Sequence, residues 1–169
     1  KITSRAVPPA PAPLREAAAA LRNAKRPLII AGGGVLYGEA TDMLRGFAEG
    51  HGVPVAETQA GKGALPWDHP LQLGSIGVTG SAAANALARE ADLVLAVGTR
   101  LQDFTTGSHS LFGQARLLNL NVNGFDALKL RGLALQADAR SGLQALDTVL
   151  NGWKADAAWA AKASKLAAE

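Results

Sequence analysis

The stretch "ADLVLAVGTRL", Ala91 to Leu101, decides the fold. Leu93 to Val97 is an unbroken apolar run, and Gly98 closes it. A strand with one wet face alternates apolar and polar residues; a strand buried on both faces does not. A short continuous run ended by glycine therefore reads as a central strand of a parallel sheet, with a sharp turn at its carboxyl end.

The neighbouring segments repeat this signature. "PLIIAGGG", Pro27 to Gly34, is a second buried strand reaching a turn, and "VPVAE" ending at Glu57 is a third. Between them, Ala40, Met43, Leu44, Phe47 and Ala48 share one helical face, which Gly50 and Gly52 stop. Thr79 or Ser81 can cap a helix running through Leu87 toward Glu90, just ahead of the opening stretch. Downstream lie "ARLLNLNVN" and "LALQAD" as strands, then a helix marked by Leu143, Leu146, Val149 and Leu150. Upstream, Leu14, Ala17, Ala18 and Leu21 mark a helix that ends before Pro27. Alternating strands and helices predict an α/β fold: a doubly wound, Rossmann-like parallel sheet of about five or six strands with helices on both faces.

The boundaries follow from composition. Pro8, Pro9, Pro11 and Pro13 make residues 1–13 an extended interdomain linker. Residues 14–150 form the folded domain, and 151–169 an Ala-rich helical tail or linker. Trp153 and Trp159 in that tail are too large and apolar for a free surface and are expected to cover this domain or a neighbour.

The 169 residues suffice for one domain with a real core, and 48% are hydrophobic. The formal charge is +3, but Arg15, Arg45, Arg89, Arg116 and Arg140 are scattered with no aromatic interleaving, so no nucleic-acid partner is expected. No cysteine is present, which excludes thiolate chemistry and disulfides and suits a cytoplasmic protein. No apolar run reaches the roughly 20 residues of a membrane helix.

In open α/β sheets, ligands sit beyond the carboxyl ends of the strands. Gly32, Gly33 and Gly34, the loop from Thr58 through Gly80, Gly98 with Arg100, Asn121 to Asn123, and Asp138 all belong on that edge. Glycines there let backbone N–H groups approach an anion. The specific fingerprints fail, however. G-x-G-x-x-G read from Gly32 meets Tyr37 in place of its last glycine, and the P-loop read back from Gly61-Lys62 meets Ala56 in place of its first. Asp68-His69 lies in "PWDHP", which reads as a stiff turn, and no G-x-S-x-G elbow accompanies it. His51, His69 and His109 share no metal-ligand spacing. Catalytic and metal-ligating residues are therefore expected to be none.

"RPLIIAGGGV" and "GVPVAETQAGKGALPWDHPLQLGSIGVTGS" through "VGTRLQDFTTGS" resemble the central domain of thiamine-diphosphate-dependent enzymes of the acetohydroxyacid synthase class, over residues 14 to 150. "ETQAGKGALPWDHP" is similar in particular to ring-opening hydrolases of bacterial myo-inositol catabolism. The resemblance implies a deoxyhypusine-synthase-like NAD/FAD-binding fold and a non-catalytic middle domain serving packing and oligomer assembly. It implies a parent enzyme that hydrolyses a carbon–carbon bond in a cyclic dione to give a deoxy-glucuronic acid. Thiamine diphosphate and magnesium would be held by flanking pyrimidine-binding and diphosphate-binding domains, and the parent would be a homo-oligomer. No Gly-Asp-Gly motif for the diphosphate stands in this chain. In some relatives the middle domain binds FAD or ADP; by position the contacts would be Gly32, Gly33, Gly34, Thr58, Gln59, Gly77, Gly80, Gly98, Arg100 and Asp138. Gln102, Phe104 and Asn121 depart from that pattern, which implies a weak or vestigial nucleotide site. The alternatives are a FAD, ADP or NAD module of a related lyase or synthase, and a small hydrolase using Asp68 and His69.

Overall fold

The computed structural model describes residues 6–168. Six strands form one sheet, all parallel, in the order β3-β2-β1-β4-β5-β6. The strands are β1 (Pro27–Ala31), β2 (Val55–Glu57), β3 (Gln72–Ser75), β4 (Leu93–Val97), β5 (Arg116–Asn121) and β6 (Leu133–Gln136). The helices are α1 (Pro11–Asn23), α2 (Gly33–Tyr37), α3 (Thr41–His51), α4 (Ala82–Glu90), α5 (Asp103–Thr106), α6 (Gly124–Ala127), α7 (Ala139–Val149) and α8 (Ala157–Ala168). β1 and β4 are central, and every one of their residues is buried.

The unbroken apolar runs conceal an alternation between two cores. Ile29, Ala31, Leu95 and Val97 point to one face, where α1, α3 and α7 contribute Leu21, Phe47 and Leu143. Leu28, Ile30, Val94 and Ala96 point to the other, where α4 and α8 contribute Leu87 and Trp159. Two such layers explain why neither strand tolerates a polar residue.

Three expectations change. The Pro-rich segment is partly helical: α1 starts at Pro11, three residues ahead of Leu14. The first turn of a helix makes no intrahelical use of its N–H groups, so Pro11 and Pro13 fit there without loss. Of the expected linker, residues 1–5 lie outside the described residues, and 6–10 have no regular structure. An edge strand, β3, lies inside the stretch read as loop and turn. The one-turn helix α2 follows the triple glycine directly. Of the two candidate caps for α4, Ser81 is the one used: its Oγ accepts from Ala84 N at 3.0 Å.

The tail folds back on the domain. Trp159 is buried and its Nε1 donates to Pro27 O at 2.8 Å. Lys162 pairs with Glu90 at 2.6 Å, and Ser164 Oγ donates to Pro70 O at 2.8 Å. The helix thereby covers α4 and the start of β3. Trp159→Ala is expected to destabilise the chain by about 3–5 kcal/mol through the cavity left in the second core. Trp159→Phe, which keeps most of the ring and drops the donor, should cost visibly less. Urea denaturation of both variants checks the order; equal stability of Trp159→Ala and the parent sequence would show that α8 does not seal this face.

Candidate functional site

Strand order reverses at the boundary between β1 and β4, whose crossovers leave in opposite directions. A crevice opens at such a switch point. Here it is a cleft of about 500 Å³ lined by Gly33, Gly34, Thr58, Gln59, Gly98 and Arg100, with Tyr37, Phe104, Asn121 and Asp126 around them. Six of the ten residues singled out in the sequence thus meet in one place. Gly32 lies at its base, one residue before Gly33. Gly77, Gly80 and Asp138 do not line it.

The glycines at its base serve backbone packing. A Cβ on Gly34 would stand 2.7 Å from Gly98 Cα, and one on Gly98 would stand 2.6 Å from Gly34 Cα. A Cβ on Gly32 would meet Thr99 Cβ at 2.5 Å. Real Cβ atoms do not approach so closely, so any side chain here forces β1 and β4 apart at the turn. Gly98 also has φ +60°, in the left-handed region. The N–H groups follow the same logic. Gly32 N donates to Val97 O at 2.8 Å and Gly34 N to Gly98 O at 2.9 Å. A ligand anion would compete with these bonds.

The other candidates hold the chain in a comparable way. Thr58 is buried; its Oγ1 accepts from Gly61 N at 3.1 Å and its own N donates to Ala31 O at 2.9 Å. Gly77, at φ +112°, is gripped by Asn85: Gly77 N donates to Asn85 Oδ1 at 3.1 Å and Asn85 Nδ2 donates to Gly77 O at 2.9 Å. Gly80 N closes the turn onto Gly77 O at 2.9 Å. Asp138 caps α7, accepting from Ser141 N at 2.9 Å on Oδ1 and from Val7 N at 2.6 Å on Oδ2. Burial pushes its carboxyl up, but the hydrogen bonds from Ser141, Val7 and Arg140 outweigh it and hold it below the ordinary carboxylate value.

Asp68-His69 forms a turn. His69 N donates to Pro66 O at 3.1 Å, which closes residues 66–69. His69 Nδ1 accepts from Leu71 N at 3.2 Å, so the ring proton sits on Nε2, which donates to Glu49 Oε1 at 3.0 Å. Both ring nitrogens are engaged. Glu57 closes the same loop from below, its buried carboxylate accepting from Gly63 N at 3.2 Å and Leu65 N at 2.9 Å. His51 ends α3 with Nδ1 at 2.7 Å from Trp153 O and Nε2 at 3.0 Å from Asp147 Oδ1. Among the described residues, no three acidic or histidine side chains converge on a point.

Asp126 and Lys129 escaped the sequence reading. Asp126 is buried at the cleft and pairs with Lys129 Nζ at 3.1 Å, and that Nζ also donates to Arg100 O at 3.1 Å. This pair fixes the backbone that carries Arg100. The signal in the sequence was Asn123 as a cap with an acid three residues on, ahead of a lysine one helical turn later.

A doubly wound sheet with a glycine-floored cleft at its switch point defines the class: a Rossmann-like α/β domain. Comparison with known proteins narrows it. Residues 14–146 match the family model described as "Thiamine pyrophosphate enzyme, central domain". The chain belongs to this family. Its relatives include 3D-(3,5/4)-trihydroxycyclohexane-1,2-dione hydrolases. That of Geobacillus thermodenitrificans is 50% identical over 137 residues, covering 81% of this chain and 21% of the relative. That of Clostridium tetani is 46% identical over 146 residues, covering 85% and 22%. That of Bacillus cereus is 49% identical over 140 residues, covering 82% and 22%. The chain spans about a fifth of the length of these relatives.

Two outcomes follow from the geometry. Gly98→Ala adds both a backbone clash and a left-handed strain, and is expected to cost about 2 kcal/mol or more; chemical denaturation beside Gly46→Ala, where a Cβ meets nothing within 4 Å, checks it. Asp138 titrates lower when folded, so its contribution is complete above the unfolded carboxylate value near 4 and is lost as pH falls through the folded value. Asp138→Ala should therefore show a deficit of about 1 kcal/mol at neutral pH that narrows toward pH 3. A deficit independent of pH would remove the charge from this account.

Proposed function

We propose that this chain is the non-catalytic central domain of a longer thiamine-diphosphate-dependent hydrolase that opens the ring of trihydroxycyclohexane-1,2-dione to 5-deoxy-glucuronic acid. The observation that carries this reading is the identity of about half over four-fifths of the chain with hydrolases of that name. The reaction belongs to the myo-inositol catabolic route suggested by the resemblance, and the parent is read as a cytoplasmic homo-oligomer.

The residues here do not fit thiamine diphosphate with magnesium. A diphosphate–metal site needs clustered carboxylate or carbonyl oxygens. Asp126 is paired with Lys129, Asp138 is committed to a helix cap, and Glu57 is committed to its loop. Thiamine diphosphate and magnesium are therefore assigned to flanking pyrimidine-binding and diphosphate-binding domains of the parent. The role left to this domain is packing and oligomer assembly.

In the full-length parent, His69→Ala and Lys62→Ala are expected to leave kcat within about threefold, or ~0.7 kcal/mol in barrier. Steady-state kinetics with the cyclic dione reads this directly. A hundredfold loss in kcat for His69→Ala, with the fold intact, would restore the hydrolase reading of Asp68 and His69.

A second reading places a weak FAD, ADP or NAD in the cleft, with the base against Tyr37 or Phe104 and a phosphate near Arg100. What favours it is that two aromatic rings and one guanidinium line the same crevice. Millimolar ADP, FAD or NAD should then raise the melting temperature, by an increment that grows with ligand concentration. An unchanged melting temperature with all three leaves the cleft as packing alone.

A further inference from the structure

Large exposed apolar side chains fall mostly on one edge of the molecule; Trp67, 90% exposed in the 66–69 turn, lies apart from it. Tyr37, Val78, Phe104, Val122 and Phe125 are all exposed, and all lie beyond the carboxyl ends of the strands; Leu128 follows at the end of α6. Phe125 is 75% exposed and Leu128 70%. Single exposed apolar residues are ordinary, but a contiguous set on one edge marks a surface that something covers.

The path of the chain says what covers it. Val7 exchanges two hydrogen bonds with Asp138: Val7 N donates to Oδ2 at 2.6 Å, and Asp138 N donates to Val7 O at 3.0 Å. Asp138 stands two residues past Gln136, the last residue of β6. Gln136 Nε2 reaches Val122 O at 3.4 Å, and its side chain lies against Gly124 at the start of α6. The chain thus enters the domain on the carboxyl edge, beside the end of β6, whose Gln136 side chain reaches α6. It leaves elsewhere. α8 crosses from Pro27 past Glu90 to Pro70, on the side of β1 and β3. Four-fifths of the length of the relatives lies outside the matched region, so there is ample chain to fill the surface.

We propose that the exposed apolar edge centred on Val122, Phe125 and Leu128 is the docking surface for the part of the same polypeptide that precedes Lys1. The α6 patch is its anchor, and the Val7–Asp138 bond pair sets the angle at which the preceding chain arrives. Phe125 and Leu128 sit three apart on one turn, so they present one apolar face to that partner. The proposal rests on the central-domain reading above.

The test is site-specific photo-crosslinking in the full-length parent, with p-benzoyl-phenylalanine in place of Phe125. The protein is a mixture of light and isotope-heavy copies, and the linked peptides are identified by mass spectrometry. The expected product joins Phe125's position to a peptide encoded ahead of Lys1, with both halves carrying the same isotope label. Mixed-label products would put a second copy on this surface and overturn the proposal. Products with chain following Glu169, or no product at all, would overturn it too. Intact mass of the gene product separates the two levels: a full-length protein with no domain ahead of Lys1 would overturn the central-domain reading along with the proposal.

Discussion

The approach of Gly34 to Gly98 is the constraint on which the rest of this domain depends. Two backbone turns, one leaving β1 and one leaving β4, meet there without a side chain between them. The contact is dressed by hydrogen bonds from Gly32 N to Val97 O and from Gly34 N to Gly98 O. Because these turns touch, α2 can begin at once after β1, and the chain after β4 can run outward over the cleft. Leu101, with φ 44° and a buried side chain, holds that outward path by plugging into the second core. Arg100 is thereby placed on the edge by an apolar anchor one residue later and by Lys129 on its carbonyl.

The polar residues of the edge follow from the same requirement. A sheet whose strands are buried on both faces exposes its backbone only at the ends, where turns must satisfy their own N–H and C=O groups. Asn121 bridges β4 to β5 by donating to Thr99 O at 3.0 Å and accepting from Asn123 N at 3.0 Å. Asn85, Thr58, Glu57 and Asp138 do equivalent work at the other turns. Residues that look like a binding edge in the sequence are here the means by which a parallel sheet closes its loops.

What was legible in the sequence was whatever burial writes strongly. β1 and β4 were readable because two cores demand apolar residues at every position. α4 was readable because Ser81 stands where its cap must be. β3 was not, since "QLGS" on a strand edge carries two polar residues and a glycine, and only two of its four positions are buried. The start of α1 was hidden because proline signals a break in any position except the first turn. In the site, Gly33, Gly34 and Gly98 meet at the cleft while Gly77 and Gly80 do not line it, and sequence cannot tell an N–H offered to a ligand from one already bonded to the neighbouring strand. Asp126 and Lys129 were missed because a one-turn helix leaves no periodicity to detect.

This distinction bears on how a domain can lose or lack its own chemistry and yet keep a sequence that looks like a binding site. If glycines at the switch point served only a phosphate, their replacement in a non-binding domain would cost nothing to the fold. The clash distances say otherwise: Gly34 and Gly98 are required by the sheet whether or not anything enters the cleft. A ligand site at this edge can therefore weaken through its exposed contacts, such as Gln102 and Phe104, while its floor stays intact. The glycine pattern of such a domain reports its topology first. Its function has to be read from the side chains that the fold leaves exposed, and among the described residues those include the apolar residues around α6 and Arg100 at the cleft.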